Sequence, residues 1–207
     1  MSSSRLPVRG DERGLQDEGY LRVADSQSEL RLNAEARQML AVMQTRDELG
    51  RAMNLIAFNP AWLDGKGWRI GLRIRDNSPH WDEPLCGALR QRRHEILFGV
   101  AVDARWPEPS AVWQVKANSE DVEGFRVNTS SVATILFSKQ LSCAVLNHVD
   151  DPVLVAGPVD FVAEALASEA DAARAELESG LGGSSYLPQW YVDLVTHYRP
   201  FLLGGRR

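Results

Sequence analysis

The chain has 207 residues and a formal net charge of −5. That length suits one domain, large enough to bury its own core without disulfides or a structural metal. The sign of the charge argues against attraction to a phosphate backbone through a whole-protein field. Two cysteines, Cys86 and Cys143, are too few for a disulfide framework and lack metal-ligand spacing, so they read as small buried apolar residues. No apolar run reaches the roughly 18 residues of a membrane span. The opening MSSSRLPVRGDERG has no apolar signal-peptide core, so the expected address is the cytoplasm. The cations are 20 Arg against three Lys (Lys66, Lys116 and Lys139), a skew that points to GC-rich bacterial coding.

In chain order, residues 1–28 are polar, charged and glycine-punctuated and predict a flexible arm, within which Tyr20 to Val23 has the character of one short strand. Ala36, Met39, Leu40 and Met43 fall at helical spacing, and Leu49, Ala52, Met53 and Ile56 continue it. Residues 34–57 therefore predict one helix or two. The break falls near Thr45, which with Glu48 fits a capping box, and Asn59-Pro60 ends the run.

Trp68 to Arg75 alternates cleanly. Trp68, Ile70, Leu72 and Ile74 share one face and Arg69, Arg73 and Arg75 the other, which predicts an antiparallel strand with a basic solvent face. A helix-like stretch follows over Leu85 to Arg93. Ile96 to Val102 is continuously apolar, as a central strand would be. After a turn at Pro107 and Pro109, Ala111 to Ala117 reads as the next strand. Ser119 to Gly124 predicts a polar turn or one helical turn, and the β-branched residues of Val132 to Phe137 favour a strand over a helix. Cys143–Leu146 and Val153–Ala156 predict two more strands. Asp160 then suits the cap of a helix carrying Phe161, Val162, Ala165 and Leu166, and a glycine–serine link leads to a last helix with Trp190, Leu194, Val195 and Tyr198. No βαβ alternation is present. The expected class is α+β: a mainly antiparallel sheet of five to six strands, helices on one side of it, with an N-terminal helical segment and C-terminal helices. The expected domain covers residues 29–200, followed by a short tail at 201–207.

Phosphate-binding glycine loops and the G-x-S-x-G elbow are absent from the sequence. His80, Glu83, Cys86, His94 and Glu95 fall within sixteen residues, but His80 and Glu83 sit in a proline-bordered stretch without helical register, so a polar loop is the better reading than a metal site. His148 beside Asp150 and Asp151 reads as turn chemistry rather than an acid–base pair.

Asp103 ends an apolar strand, and Gln114 and Lys116 share a face of the next one. This spacing resembles the metal-dependent nucleases of the restriction-endonuclease superfamily. There an acidic residue holds Mg²⁺ and Glu-x-Lys, or sometimes Gln-x-Lys, follows on the neighbouring strand. The resemblance implies Mg²⁺ as cofactor, held by Asp103, with Lys116 stabilising charge on the attacking water or the phosphate and Glu35 and Glu48 as further acids. It covers about fifteen residues, and Gln114 removes one expected carboxylate.

Arg69, Arg73 and Arg75, with Arg90, Arg92 and Arg93 downstream, form a candidate basic patch. Trp81 and Trp106 stand in proline-containing loops, and tryptophan beside arginine is the composition of interface hot spots. The functional expectation is a non-enzymatic bacterial accessory protein that acts on a protein partner through Arg69, Arg73, Arg75, Trp81 and Trp106, with no cofactor. Its element order is similar to that of type III secretion chaperones and small immunity proteins, and an antitoxin-like inhibitor fits equally well. The alternative is the Mg²⁺-dependent nuclease built on Asp103, Gln114 and Lys116.

Overall fold

The computed structural model describes residues 5–8, 10–47, 49–73, 82–103, 109–148, 153–167 and 188–203. A 3-10 helix at Gly10–Leu15 leads to β1 (Leu21–Arg22), α1 (Ser26–Met39), β2 (Leu40–Arg46) and β3 (Ala52–Phe58). Then come α2 (Pro60–Lys66), β4 (Arg69–Arg73), α3 (Glu83–Gln91), β5 (Ile96–Val102), β6 (Val112–Lys116) and α4 (Ser119–Asn128). The order ends with β7 (Ala133–Ser138), β8 (Ala144–Asn147), β9 (Val153–Gly157), α5 (Val159–Ala165) and α6 (Gln189–Tyr198). The class is α+β, with antiparallel sheets flanked by N- and C-terminal helices.

Local chemistry sets the helix ends. Asp25 accepts the Ser28 N–H to start α1, and Asn59 accepts the Ala61 N–H to start α2, which has Pro60 in its first turn. Gly67, with φ at 65°, closes α2 in the left-handed region where glycine carries no steric cost. Asn118 caps α4 through the Asp121 N–H, so the segment read as a turn runs on to Asn128.

Seven strands form one antiparallel sheet in the order β1-β6-β5-β7-β8-β9-β4. Its central strands are apolar at successive positions rather than alternate ones: every residue of β8 and of β9 is buried. Such strands need cover on both faces, and both faces have it. One face packs against α1, β3, α2 and α6 through Leu32, Ala36, Phe58, Leu63, Leu194 and Tyr198. The other packs against α3, α4 and α5 through Leu85, Leu89, Phe125, Phe161 and Val162. The expectation of helices on one side is corrected accordingly. The basic solvent face of β4 is corrected with it: a Cβ on Gly71 would stand 2.3 Å from Leu166 Cδ1 and 2.8 Å from Val162 Cγ1, so α5 lies on the face assigned to the arginines.

The helical reading of residues 34–57 holds only to Met39. Leu40–Arg46 and Ala52–Phe58 pair as an antiparallel ribbon, from Leu40 opposite Phe58 to Arg46 opposite Ala52. Thr45, expected as a helix cap, lies in β2 opposite Met53 and donates to Asp193 Oδ2 at 2.6 Å; Glu48 lies outside the described residues. The turn runs through Gly50 at φ 75°, and Asp47 accepts the N–H groups of Leu49 and Arg51.

Both chain-terminal segments join the sheet. Leu15, Tyr20 and Val23 are buried, Glu12 accepts the Trp113 indole N–H at 3.0 Å, and Leu21 pairs with Gln114, so residues 10–23 lie against the sheet rather than forming a separate arm. Arg22 holds Glu29 in a bidentate pair at 2.6 and 2.9 Å, with Glu29 fully buried. At the opposite edge, the Ile70 N–H donates to Phe201 and the Leu203 N–H to Ile70, which brings Phe201–Leu203 into the fold.

Candidate functional site

The β5–β6 register decides the nuclease spacing. Lys116 is opposite Ile96, at the start of β5, whereas Asp103 follows Val102, at its end. Seven residues at roughly 3.4 Å each separate the two positions by about 24 Å. Asp103 and Lys116 therefore stand at opposite ends of the sheet and do not share a site. Lys116 is exposed and 3.7 Å from Asp121, while Gln114 is half-buried between Phe98 and Leu21 on the neighbouring strands. Of the extra acids, Glu35 takes Arg31 at 2.8 Å on the surface of α1.

Of the expected binding residues, Arg75, Trp81 and Trp106 lie outside the described residues, as does the side chain of Arg73. Arg69 is half-buried and donates to the carbonyl of Trp68. Downstream, Arg90 is 3.6 Å from Glu83 within α3. Arg92 joins α3 to α5 through Asp160 and Glu164 while lying 5.2 Å from the Phe161 ring centre. The Arg92 bond keeps the Asp160 carboxyl below its ordinary range. Two of the downstream arginines are thus engaged by carboxylates of this chain, and the Arg92 guanidinium also lies over an aromatic ring.

His80, Asp150 and Asp151 also fall outside the described residues. Among the described residues, no three His, Cys, Asp or Glu side chains come together as a metal group. Cys86 and Cys143 are buried, and burial pushes each thiol up to about 11, so neither supplies a thiolate at neutral pH. His94 instead meets Ser142, with Nε2 and Oγ 2.9 Å apart. His148 follows β8 with a buried Nε2, and burial lowers its imidazole to about 4.

The sequence did not single out the β2–β3 ribbon. It stands apart from the seven-stranded sheet, and among the described residues neither of its strands has a second strand partner. On β3, the Tyr198 hydroxyl accepts the Phe58 N–H, so α6 occupies main-chain groups at the base of that strand. On β2 the side chains alternate toward the tip: Met43 and Thr45 turn inward, and Val42, Gln44 and Arg46 face out. Val42 is 55% exposed, and Leu49 in the turn 76%. On β2 itself charge is sparse, since Arg46 is its one ionisable side chain, and in the turn Asp47 is engaged by Arg51 at 2.6 Å. The ribbon can add a strand: it offers an extended main chain, alternate side chains on an open face and little charge to repel a neighbour.

No helix among the described residues is long and apolar enough to cross a membrane. No family model matches the chain, and no curated protein or solved structure matches it.

Proposed function

We propose that the chain is a binding protein, an accessory of the immunity-protein, antitoxin or secretion-chaperone kind, whose protein partner lays an extended segment along β2. The observation that carries this reading is the contrast in edge treatment within one molecule. In the large sheet Phe201–Leu203 lie along β4 and the two-residue β1 covers β6, so the edge left there is short, whereas the seven-residue β2 has β3 as its sole strand partner among the described residues. Exposed edges invite pairing, and proteins blunt those that have no use with lysines, prolines or covering segments. The sequence of β2, LAVMQTR, has neither lysine nor proline.

The test is a photo-reactive residue placed at Gln44, whose side chain is exposed, and another at Val127 on α4 as the control. Crosslinks to one protein from position 44 and none from position 127 support the reading. The double variant Val42→Lys with Gln44→Lys should then bind that protein about tenfold more weakly, with an unchanged melting temperature. Equal crosslinking from both positions, or undiminished affinity in the double variant, would overturn the proposal.

A further inference from the structure

One group of reactive side chains lies at the sheet end where β5 begins and β7 ends. His94 sits in the link between α3 and β5, and Ser142 closes the turn between β7 and β8. Leu97 is opposite Ser138 in the β5–β7 register, which brings the link and the turn together. There the Ser142 Oγ is 2.9 Å from His94 Nε2 and 2.9 Å from Ser138 Oγ, and Ser138 Oγ accepts the Ser142 N–H at 2.9 Å. Ser138 is fully buried, so its hydroxyl is a fixed support, while Ser142 and His94 are both half-buried and accessible from solvent.

Two ordinary backbone devices hold the pair. The Arg93 and His94 N–H groups return to Arg90 and Leu89 as α3 ends, and the Leu141 N–H returns to Ser138 within the hairpin turn. Arg93 and Leu141, the residues just before His94 and Ser142, take φ of 57° and 51° to make these turns. The imidazole is flanked by Arg92, and burial together with that cation holds it below its ordinary value, so the ring is neutral at pH 7 and Nε2 can take a proton. A serine hydroxyl within hydrogen-bond reach of a neutral imidazole is the minimal unit of nucleophilic acyl transfer.

We propose that Ser142 and His94 form a nucleophile–base pair that hydrolyses small activated carboxylic esters. Ser142 Oγ forms a bond to the ester carbonyl carbon as its proton passes to His94 Nε2. The carbon–oxygen bond to the leaving group then breaks, and His94 returns the proton to the departing oxygen. Water attacks the acyl-serine in the second half, giving one proton to His94 and thence to Ser142 Oγ, and the carboxylic acid leaves. Ester and water become acid and alcohol, with no other reactant. Ser138 acts as a positioning residue through the main chain and hydroxyl of Ser142. This inference is independent of partner binding at β2.

The experiment uses the full chain with p-nitrophenyl acetate, following p-nitrophenolate release and mapping the acetylated peptide by mass spectrometry. The expected result is one acetyl group on Ser142, and a release rate that falls about a hundredfold in both Ser142→Ala and His94→Gln. Circular dichroism melts of both variants accompany the rates, so that loss of fold is not mistaken for loss of chemistry. If either variant fails to fold, the map on the unaltered protein decides alone. Acetylation at Lys139, in the same turn, or elsewhere without Ser142 overturns the proposal, as does an undiminished rate in folded Ser142→Ala.

Discussion

The seven-stranded sheet and the β2–β3 ribbon are both antiparallel, and both put apolar side chains against the same core, yet their margins differ. In the sheet, main-chain groups along β6 and β4 are occupied by terminal segments: Val23 donates to Val112, Ala111, just before β6, to Pro7, and Leu203 to Ile70. Inside that margin lies a polar seam of Arg22, Glu29, Asn33 and Ser110, in which Asn33 donates to the Ser110 carbonyl and Ser110 to that of Ala101. In the ribbon, the base of β3 is anchored by Leu55 to Phe58 in the core, and near the tip Thr45 of β2 is held by Asp193 of α6. Among the described residues β2 has no second strand beside it, which is the distribution expected when contacts to a partner are drawn from a less buried element.

Five substitutions would break or sharpen this comparison. The largest effect is expected in the sheet, where Phe137→Ala empties a fully buried site beside Phe98 and should cost about 3–5 kcal/mol in denaturant unfolding. Glu29→Ala strips the carboxylate from Arg22, whose side chain is only 11% exposed, and should cost about 3 kcal/mol by the same measurement. A smaller cost would mean that residues 10–23 are held mainly by strand pairing, the Glu12–Trp113 bond and apolar contacts.

His148 supplies a pH test of the sheet. Its folded pKa, about 4, is below the unfolded value near 6.5, so between these values the unfolded chain binds more protons and stability rises with pH. As pH falls from about 6.5 to about 4, up to about 3 kcal/mol should be lost. His148→Gln should flatten that part of the profile, and an unaltered slope would assign it to other groups.

Tyr198→Phe removes the hydroxyl that accepts the Phe58 N–H and should cost about 1–2 kcal/mol. Its signature is faster hydrogen exchange at Phe58 with the sheet amides unaffected. The smallest effect is expected at the ribbon tip, where Leu49→Asp should shift stability by no more than about 0.5 kcal/mol. A larger loss there would show that the tip is part of the core's support.

Much of the sheet was legible in the sequence because its strands are short apolar runs bounded by turn residues, as in Ile96–Val102 and Val153–Gly157. Burial on two faces was written in the same runs, but the arginines of β4 pointed the other way. Nothing local could announce that Gly71 admits Leu166, ninety-five positions on. The ribbon was misread because Leu, Ala, Met, Gln and Arg favour helices, and Leu40, Met43, Met53 and Ile56 satisfy helical spacing as well as strand pairing. Tertiary contacts decided it, with Phe58 and Tyr198 joining segments 140 residues apart. Neither histidine–serine proximity nor the failure of Asp103 to reach Lys116 is a property of spacing. Both follow from the register of strands around β5.

The place of β4 in the sheet bears on how the protein is made. Ile70 pairs with Ala156 on one side and meets Leu202 on the other, so a strand synthesised early has both neighbours synthesised late. At on the order of ten residues per second, a ribosome needs roughly nine seconds to pass from Ile70 to Ala156. Throughout that interval an apolar strand, with Trp68 and Ile70 destined for the core, has neither of its partners. Nascent chains halted before β9 should therefore be held by chaperones or aggregate, while those extended past Leu202 should not.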